Sequence, residues 1–362
     1  MINVTRSFLP PREEYEQYLD RIWESHWLTN NGPLVKELES KLKEYLGVQF
    51  LQFTSNGTIA IQIALKALGI KGKVITTPFS YVATTSTILW EGCEPVFVDI
   101  DPQTLCIDPE LVEQAIDEDT QAVLATHVYG LPCDVVRLEA IGRKYGIKII
   151  YDAAHAFGCR YKGRSLLDYG DVATCSFHAT KVFHTVEGGC VITHDEALDR
   201  EVALKKSFGH IGDEHFTLGI NGKNSEFHAA MGLAVLPHMQ EIIAERKRIT
   251  ETYDQLLQGL PVWRPALPEG LEYNYAYYPV LFENEDTLLK VVEALKQYEI
   301  IPRRYFWPSL DDLPYLKTNI NCFTSEDISS RILCLPFYNG ITIDIQTRII
   351  KIISICLNHN WI

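Results

Sequence analysis

The stretch Ile149-Ile150-Tyr151-Asp152-Ala153-Ala154-His155-Ala156-Phe157-Gly158 joins an apolar run to an acid, two alanines and a turn. A hydrophobic strand that ends in Asp152 delivers a carboxylate to the carboxyl edge of a sheet, where open α/β folds bind their ligands. The alanines after it leave room for a planar group to approach the backbone. Taken alone, an Asp at this position is equally a helix cap or a metal ligand.

Outward from this strand the chain alternates strands with helices, the pattern of a mostly parallel sheet covered on both faces. Strands are expected at residues 48–53, 73–77, 95–99, 122–127, 148–152, 171–177 and 190–193. Helices are expected at 59–68, 80–91, 109–116 and 135–145. Before them, Leu34, Leu38, Leu42 and Leu46 recur every four residues between Gly32-Pro33 and Gly47, marking an amphipathic helix. A charged helix over 239–257 leads to a smaller α+β region with a strand at 275–281, a helix near 286–298 and a final helix at 342–357. The expected division is a large cofactor-binding α/β domain over 1–240, N-terminal segment included, and a linking helix with a small C-terminal α+β domain over 241–362.

With 33 basic against 47 acidic residues the net charge is −14, which argues against a nucleic-acid-binding face and confines anion recognition to pockets. The start MINVTRSFLPPREEY has none of the features of a secretory signal, and no run is long and apolar enough for a membrane span. A cytoplasmic location with no membrane partner is therefore expected. The nine cysteines, at 93, 106, 133, 159, 175, 190, 322, 334 and 356, form no CxxC pair or cluster, so neither zinc nor disulfides are expected.

A second segment, Ser176-Phe177-His178-Ala179-Thr180-Lys181, places a lysine in a polar bend after a strand and ahead of Glu187-Gly188-Gly189. A pocketed amine and a solvated surface lysine both fit that local pattern. Gly57 and Thr58 open an apolar helix, where unpaired amides bind phosphate or a side chain simply caps the turn. Tyr81, in Thr77-Pro78-Phe79-Ser80-Tyr81-Val82-Ala83-Thr84, suits a ring-stacking position or the core.

Together these segments, with Trp27-Leu28-Thr29-Asn30-Asn31-Gly32-Pro33 and the stretch Asn221 to Ala230, resemble the DegT/DnrJ/EryC1/StrS family of sugar aminotransferases. The resemblance covers nearly the whole chain. It implies a fold-type I enzyme that uses pyridoxal 5'-phosphate, with pyridoxamine 5'-phosphate as the intermediate form. By it, Lys181 forms the Schiff base and moves protons, Asp152 pairs with the ring nitrogen, and His155 stands at the cofactor edge or substrate. Gly57, Thr58 and Ser176 would bind the phosphate, while Tyr81 and Ala154 would flank the ring. Asn221 would reach the cofactor phosphate of a neighbouring subunit, implying a homodimer with shared active sites. Lys223 stands where the family often carries arginine, and its contact is not carried over. Thr29 and His184 are the candidate substrate contacts, with a structural role as the alternative for His184.

The resemblance further implies L-glutamate as amino donor and a nucleotide-linked keto-deoxysugar as acceptor. The lysine loop followed by Glu187-Gly188-Gly189 is similar to that of enzymes aminating C4, giving dTDP-4-keto-6-deoxy-D-glucose as the expected acceptor. A C3-directed enzyme and a non-catalytic regulatory protein are the alternatives. A related dehydratase would carry histidine in place of Lys181.

Overall fold

In the computed structural model, which describes residues 1–316 and 321–357, seven strands form one sheet. In chain order they are β1 (Phe50–Thr54), β2 (Lys73–Thr76), β3 (Glu94–Phe97), β4 (Thr120–Thr126), β5 (Lys148–Asp152), β6 (Val172–Ser176) and β7 (Gly189–Thr193). Their spatial order is β1-β7-β6-β5-β4-β2-β3, with β7 antiparallel to both neighbours and the others parallel. All seven lie on expected strands, with ends shifted by one or two residues except at β5, which runs over 148–152 as expected.

The apolar runs form strands because both sheet faces are covered. Ile150 and Leu124 pack with Ile61 and Leu65 of the helix Gly57–Ala67, while Ile149 and Val123 join the larger core on the other side. Fully burying each such side chain contributes roughly 1.5–3 kcal/mol, so shifting a strand by one residue would exchange its two faces at high cost.

The leucine stripe gives the helix Pro33–Leu46, with Leu34, Val35, Leu38, Leu42 and Leu46 buried and Gly47 closing it at φ +67°. Its entrance has no side-chain cap because Gly32 precedes it. Glu226 substitutes from a distance, accepting the N–H groups of Leu34 at 2.7 Å and Val35 at 3.0 Å. Glu226 opens the helix Glu226–Val235, which the sequence pattern left unassigned.

The helix Met239–Leu256 carries Ile249 and Tyr253 into a second core, shared with the helices Glu285–Gln297 and Ile343–Cys356. A short antiparallel pair, Pro279–Leu281 with Ile332–Cys334, lies in this part. The strand expected at 275–281 is thus shortened: Tyr275 adopts φ +54°, which breaks the extended run before Pro279. Ile2–Asn3 pairs in parallel with Ile300–Ile301, so the first residues of the chain join its C-terminal part.

Candidate active site

A cavity of about 290 Å³ opens at the carboxyl edge of the parallel strands. Asp152 ends β5, Ser176 ends the adjacent β6, and the helix Gly57–Ala67 starts just beyond β1. Of the residues expected in the site, Gly57, Thr58, Tyr81, Asp152, Ala154, His155, Ser176 and Lys181 all line this cavity.

Asp152 is buried at 6 % exposure. Its Oδ2 accepts the hydroxyl of Thr84 at 2.8 Å and its Oδ1 the amide of Ala154 at 3.1 Å. Burial nevertheless pushes its carboxyl above the ordinary value, against those two hydrogen bonds and the nearby Lys181. Behind it Ser80 links Thr84 to Thr126 through hydroxyl contacts of 2.7 and 2.9 Å. A carboxylate held in this way is suited to a cationic ring group entering the cavity.

Lys181 follows β6 in a bend fixed by its amide, which donates to the carbonyl of His178 at 2.8 Å. Burial holds its ammonium below the ordinary lysine value, with Asp152 pulling the other way. The neutral amine is the nucleophilic and proton-accepting form. Its Nζ lies 5.9 Å from the ring centroid of Tyr277.

One end of the cavity is built by the turn before the helix Gly57–Ala67. Asn56 caps that helix by accepting the N–H of Ile59 at 2.8 Å, while the first-turn amides at Gly57 and Thr58 have no intrahelical acceptor. A Cβ on Gly57 would lie 2.8 Å from the Cβ of Ser176, so glycine is what lets the turn approach that serine. At the other side Tyr81 is 51 % exposed, its ring free to meet a flat ligand.

His155 lines the cavity with Nδ1 accepting the amide of Tyr129 at 3.1 Å and its ring parallel to Phe306 at 5.7 Å. Burial keeps it well below the ordinary imidazole value and hence neutral. Asn274 fixes the turn that carries it, donating to the carbonyls of His155 at 2.8 Å and Phe157 at 2.9 Å.

Three expected residues lie elsewhere. His184 is buried outside the cavity, with Nε2 on the carbonyl of Phe8 at 2.6 Å and Nδ1 accepting the Val186 amide at 3.3 Å. Both ring nitrogens are committed, an arrangement that fits the structural alternative for His184. Thr29 and Asn221 are exposed and do not line the cavity of this chain.

The wall also takes in residues given no individual site role from the sequence, among them Asn56, Ser80, Thr126, Glu187, Tyr277, Arg303, Tyr305 and Phe306. Those from Tyr277 onward arrive from the C-terminal part of the chain, where residues 303–308 offer cations and aromatics for a bulky nucleotide-linked substrate but the sequence assigns no individual contacts. Among the described residues no group of His, Cys, Asp and Glu forms a metal site. No described helix is long and apolar enough to cross a membrane.

The arrangement can hold a flat ring with a cationic edge at Asp152, a phosphate at Gly57, and a carbonyl within reach of an amine. Comparison with known proteins agrees with that chemistry. The chain is 42 % identical over 359 residues to dTDP-4-amino-4,6-dideoxy-D-glucose transaminase of Shigella dysenteriae, covering 97 % of this chain and 98 % of that one. It is 40 % identical over 366 residues to dTDP-4-amino-4,6-dideoxy-D-glucose transaminase of Escherichia coli, with 97 % and 98 % covered. The crystal structure of DesI in the presence of its TDP-sugar product has a TM-score of 0.94 at 34 % identity, over 98 % of this chain and 93 % of that one. With the model of one family matching residues 11–354, from the first long helix to the last, the chain belongs to the DegT/DnrJ/EryC1/StrS aminotransferase family.

Proposed function

We propose that this protein transfers an amino group from L-glutamate to C4 of a nucleotide-linked 4-keto-6-deoxyhexose. The acceptor is dTDP-4-keto-6-deoxy-D-glucose and the product dTDP-4-amino-4,6-dideoxy-D-glucose. The observation that carries the reading is the convergence of Asp152, Lys181 and the helix start at Gly57 on one cavity.

The donor set fits pyridoxal 5'-phosphate: a buried carboxylate for the protonated ring nitrogen, a primary amine for the aldehyde, and a helix N-terminus with Ser176 for the phosphate. When bound, this group supplies an electron sink for negative charge at the carbon that loses a proton. Asp152 keeps the ring nitrogen protonated and so maintains that sink. Lys181 holds the cofactor between turnovers, gives way to the donor amine, and then moves the proton removed from the donor. The same amine would serve the return half of the transfer, moving the proton back as the sugar carbonyl receives the amino group. Tyr81 and Ala154 would flank the ring, with His155 lining the cavity beside it.

A homodimer with shared sites is part of the proposal. Trp27, Leu28, Phe216, Leu218 and Ile220 expose large apolar surfaces in the segments that carry Thr29 and Asn221. The amide of Glu226 donates to the carbonyl of Leu28 at 3.0 Å, tying these segments together. In this reading a second copy of the chain covers that surface, and Thr29 and Asn221 serve the partner's cavity. We also place the domain division near residue 240 and the enzyme in the cytoplasm, a location that suits nine cysteines without a disulfide among the described residues.

The test presents the purified pyridoxamine-phosphate form with matched 3-keto and 4-keto dTDP sugars, followed by product identification. Amination at C4 is expected. Turnover of a small keto acid with no sugar acceptor would overturn the substrate.

A further inference from the structure

Lys206, just past the helix Glu196–Lys205, is only 1 % exposed and lies outside the cavity. An ammonium taken out of water is costly unless it is paired and hydrogen-bonded, and here it is both. Its Nζ lies 2.9 Å from Oε1 of Glu39, on the helix Pro33–Leu46, and donates to the carbonyl of Phe53 at 3.2 Å. The same Glu39 oxygen accepts the N–H of Phe53 at 2.8 Å. Phe53 belongs to β1, the edge of the seven-stranded sheet, so the ion pair takes both main-chain groups of this residue on the side where a further strand would otherwise pair.

The grip continues from Phe53 toward the cavity. The Thr54 carbonyl accepts from Nδ2 of Asn224 at 3.3 Å, and the Ser55 amide donates to the carbonyl of Gly222 at 2.8 Å. Gly222 in turn donates its N–H to the carbonyl of Lys206 at 2.9 Å. Lys206 thus holds the chain leading into Asn56 and Gly57 twice, at Phe53 with its side chain and at Ser55, through Gly222, with its main chain. Gly222 also lies against the helix that follows: a Cβ there would be 2.7 Å from Cδ1 of Ile63 and 3.1 Å from Cγ2 of Ile59. The turn has no slack on its other side, where Gly57 abuts Ser176.

Stability alone does not account for a charge pair at this point. Apolar residues of similar volume often replace a buried ion pair at no cost, whereas fixing one register is the best-attested use of such a pair. The register fixed here is that of the helix start against Ser176. We propose that Lys206, with Glu39, is a positioning residue for the cofactor's phosphate. It touches no ligand itself and sets the place of the Gly57 and Thr58 amides that would. The inference rests on the cofactor reading above.

The test titrates the cofactor-free enzyme with pyridoxal 5'-phosphate and, separately, with pyridoxal, in the parent, in Lys206→Met and in the double variant Glu39→Gln/Lys206→Met. The double variant leaves no carboxylate unpaired and keeps an oxygen for the Phe53 N–H, so it stays testable if Lys206→Met does not fold. Melting curves show which proteins are folded. In both variants affinity for pyridoxal 5'-phosphate is expected to fall by about tenfold or more, the effect of losing a charge-assisted hydrogen bond that holds the cradle, while affinity for pyridoxal stays within about twofold of the parent. A lysine that serves packing alone would lower the two affinities alike. Equal losses for the two compounds, or a double variant that binds pyridoxal 5'-phosphate as the parent does, would overturn the role of Lys206 and leave the cofactor reading standing. A parent that binds no pyridoxal 5'-phosphate would overturn both.

Discussion

Thr84 donates its hydroxyl hydrogen to Oδ2 of Asp152 at 2.8 Å, reaching from the helix Val82–Trp90 to the end of the fifth sheet strand. Sixty-eight residues separate the pair in sequence. The contact opposes the burial that raises the Asp152 carboxyl, so its removal raises that carboxyl further. Thr84→Val, close in shape, is expected to weaken pyridoxal phosphate binding by about tenfold, the effect of one hydrogen bond to a charged group. It should also move the acid limb of activity to higher pH. Cofactor titration and activity profiles across the neutral range measure the two effects, and an unchanged affinity would show that Thr84 acts only in packing.

Asp152→Asn should separate stability from function. In the cofactor-free protein Asp152 has a raised value, so the stability linked to its protonation is present below the ordinary carboxylate range. That stability is lost as pH rises through the folded value. At neutral pH the buried charge is therefore a burden that the neutral amide removes. The cofactor-free variant is expected to melt at or above the parent temperature at neutral pH, with the gap closing in acid. Turnover should fall by at least about a hundredfold with the loss of ring-nitrogen pairing. A variant that melts lower than the parent at neutral pH would contradict the assignment.

The sheet and the Asp152–Lys181 pair were legible because strand-to-turn segments carry local signals: apolar runs, small residues and turn residues. The helix Glu226–Val235 was not, since Ala229 to Val235 are all buried and a helix without a polar face shows no periodicity. Thr84 looked like any residue of its helix until the fold set it against Asp152. Tyr277, Arg303 and Tyr305 face the cavity only because the C-terminal part packs over the carboxyl edge of the sheet. His184 is the reverse case. Proximity to Lys181 in sequence suggested a ligand contact, but the chain turns the ring onto the Phe8 carbonyl.

Lys181→Ala is expected to abolish turnover, a loss of about a thousandfold or more for a residue that is both nucleophile and proton carrier. Cofactor should still bind through Asp152 and the Gly57 turn, without covalent attachment. Borohydride treatment followed by peptide mapping checks this: the parent should be labelled at Lys181 and the variant nowhere. Labelling of another lysine in the variant would mean that the cavity amine has been misassigned.

Gly57→Ala tests the phosphate end without touching any charged group. The added methyl would sit 2.8 Å from the Ser176 Cβ and 3.2 Å from its Cα, closer than carbon atoms pack, so the turn must withdraw from the end of the sixth strand. The first-turn amides and the serine hydroxyl then no longer converge on one anion, whereas Asp152 and Lys181 keep their places at the other end of the cavity. The expected effect is selective: affinity for pyridoxal 5'-phosphate drops by about tenfold or more, while affinity for pyridoxal, which has no phosphate, stays near the parent value. Paired titrations of both compounds give the ratio directly. An equal loss for the two would mean that the substitution disturbs the ring site and that the helix start is not the phosphate cradle, and no loss for either would mean that the turn absorbs the methyl without moving.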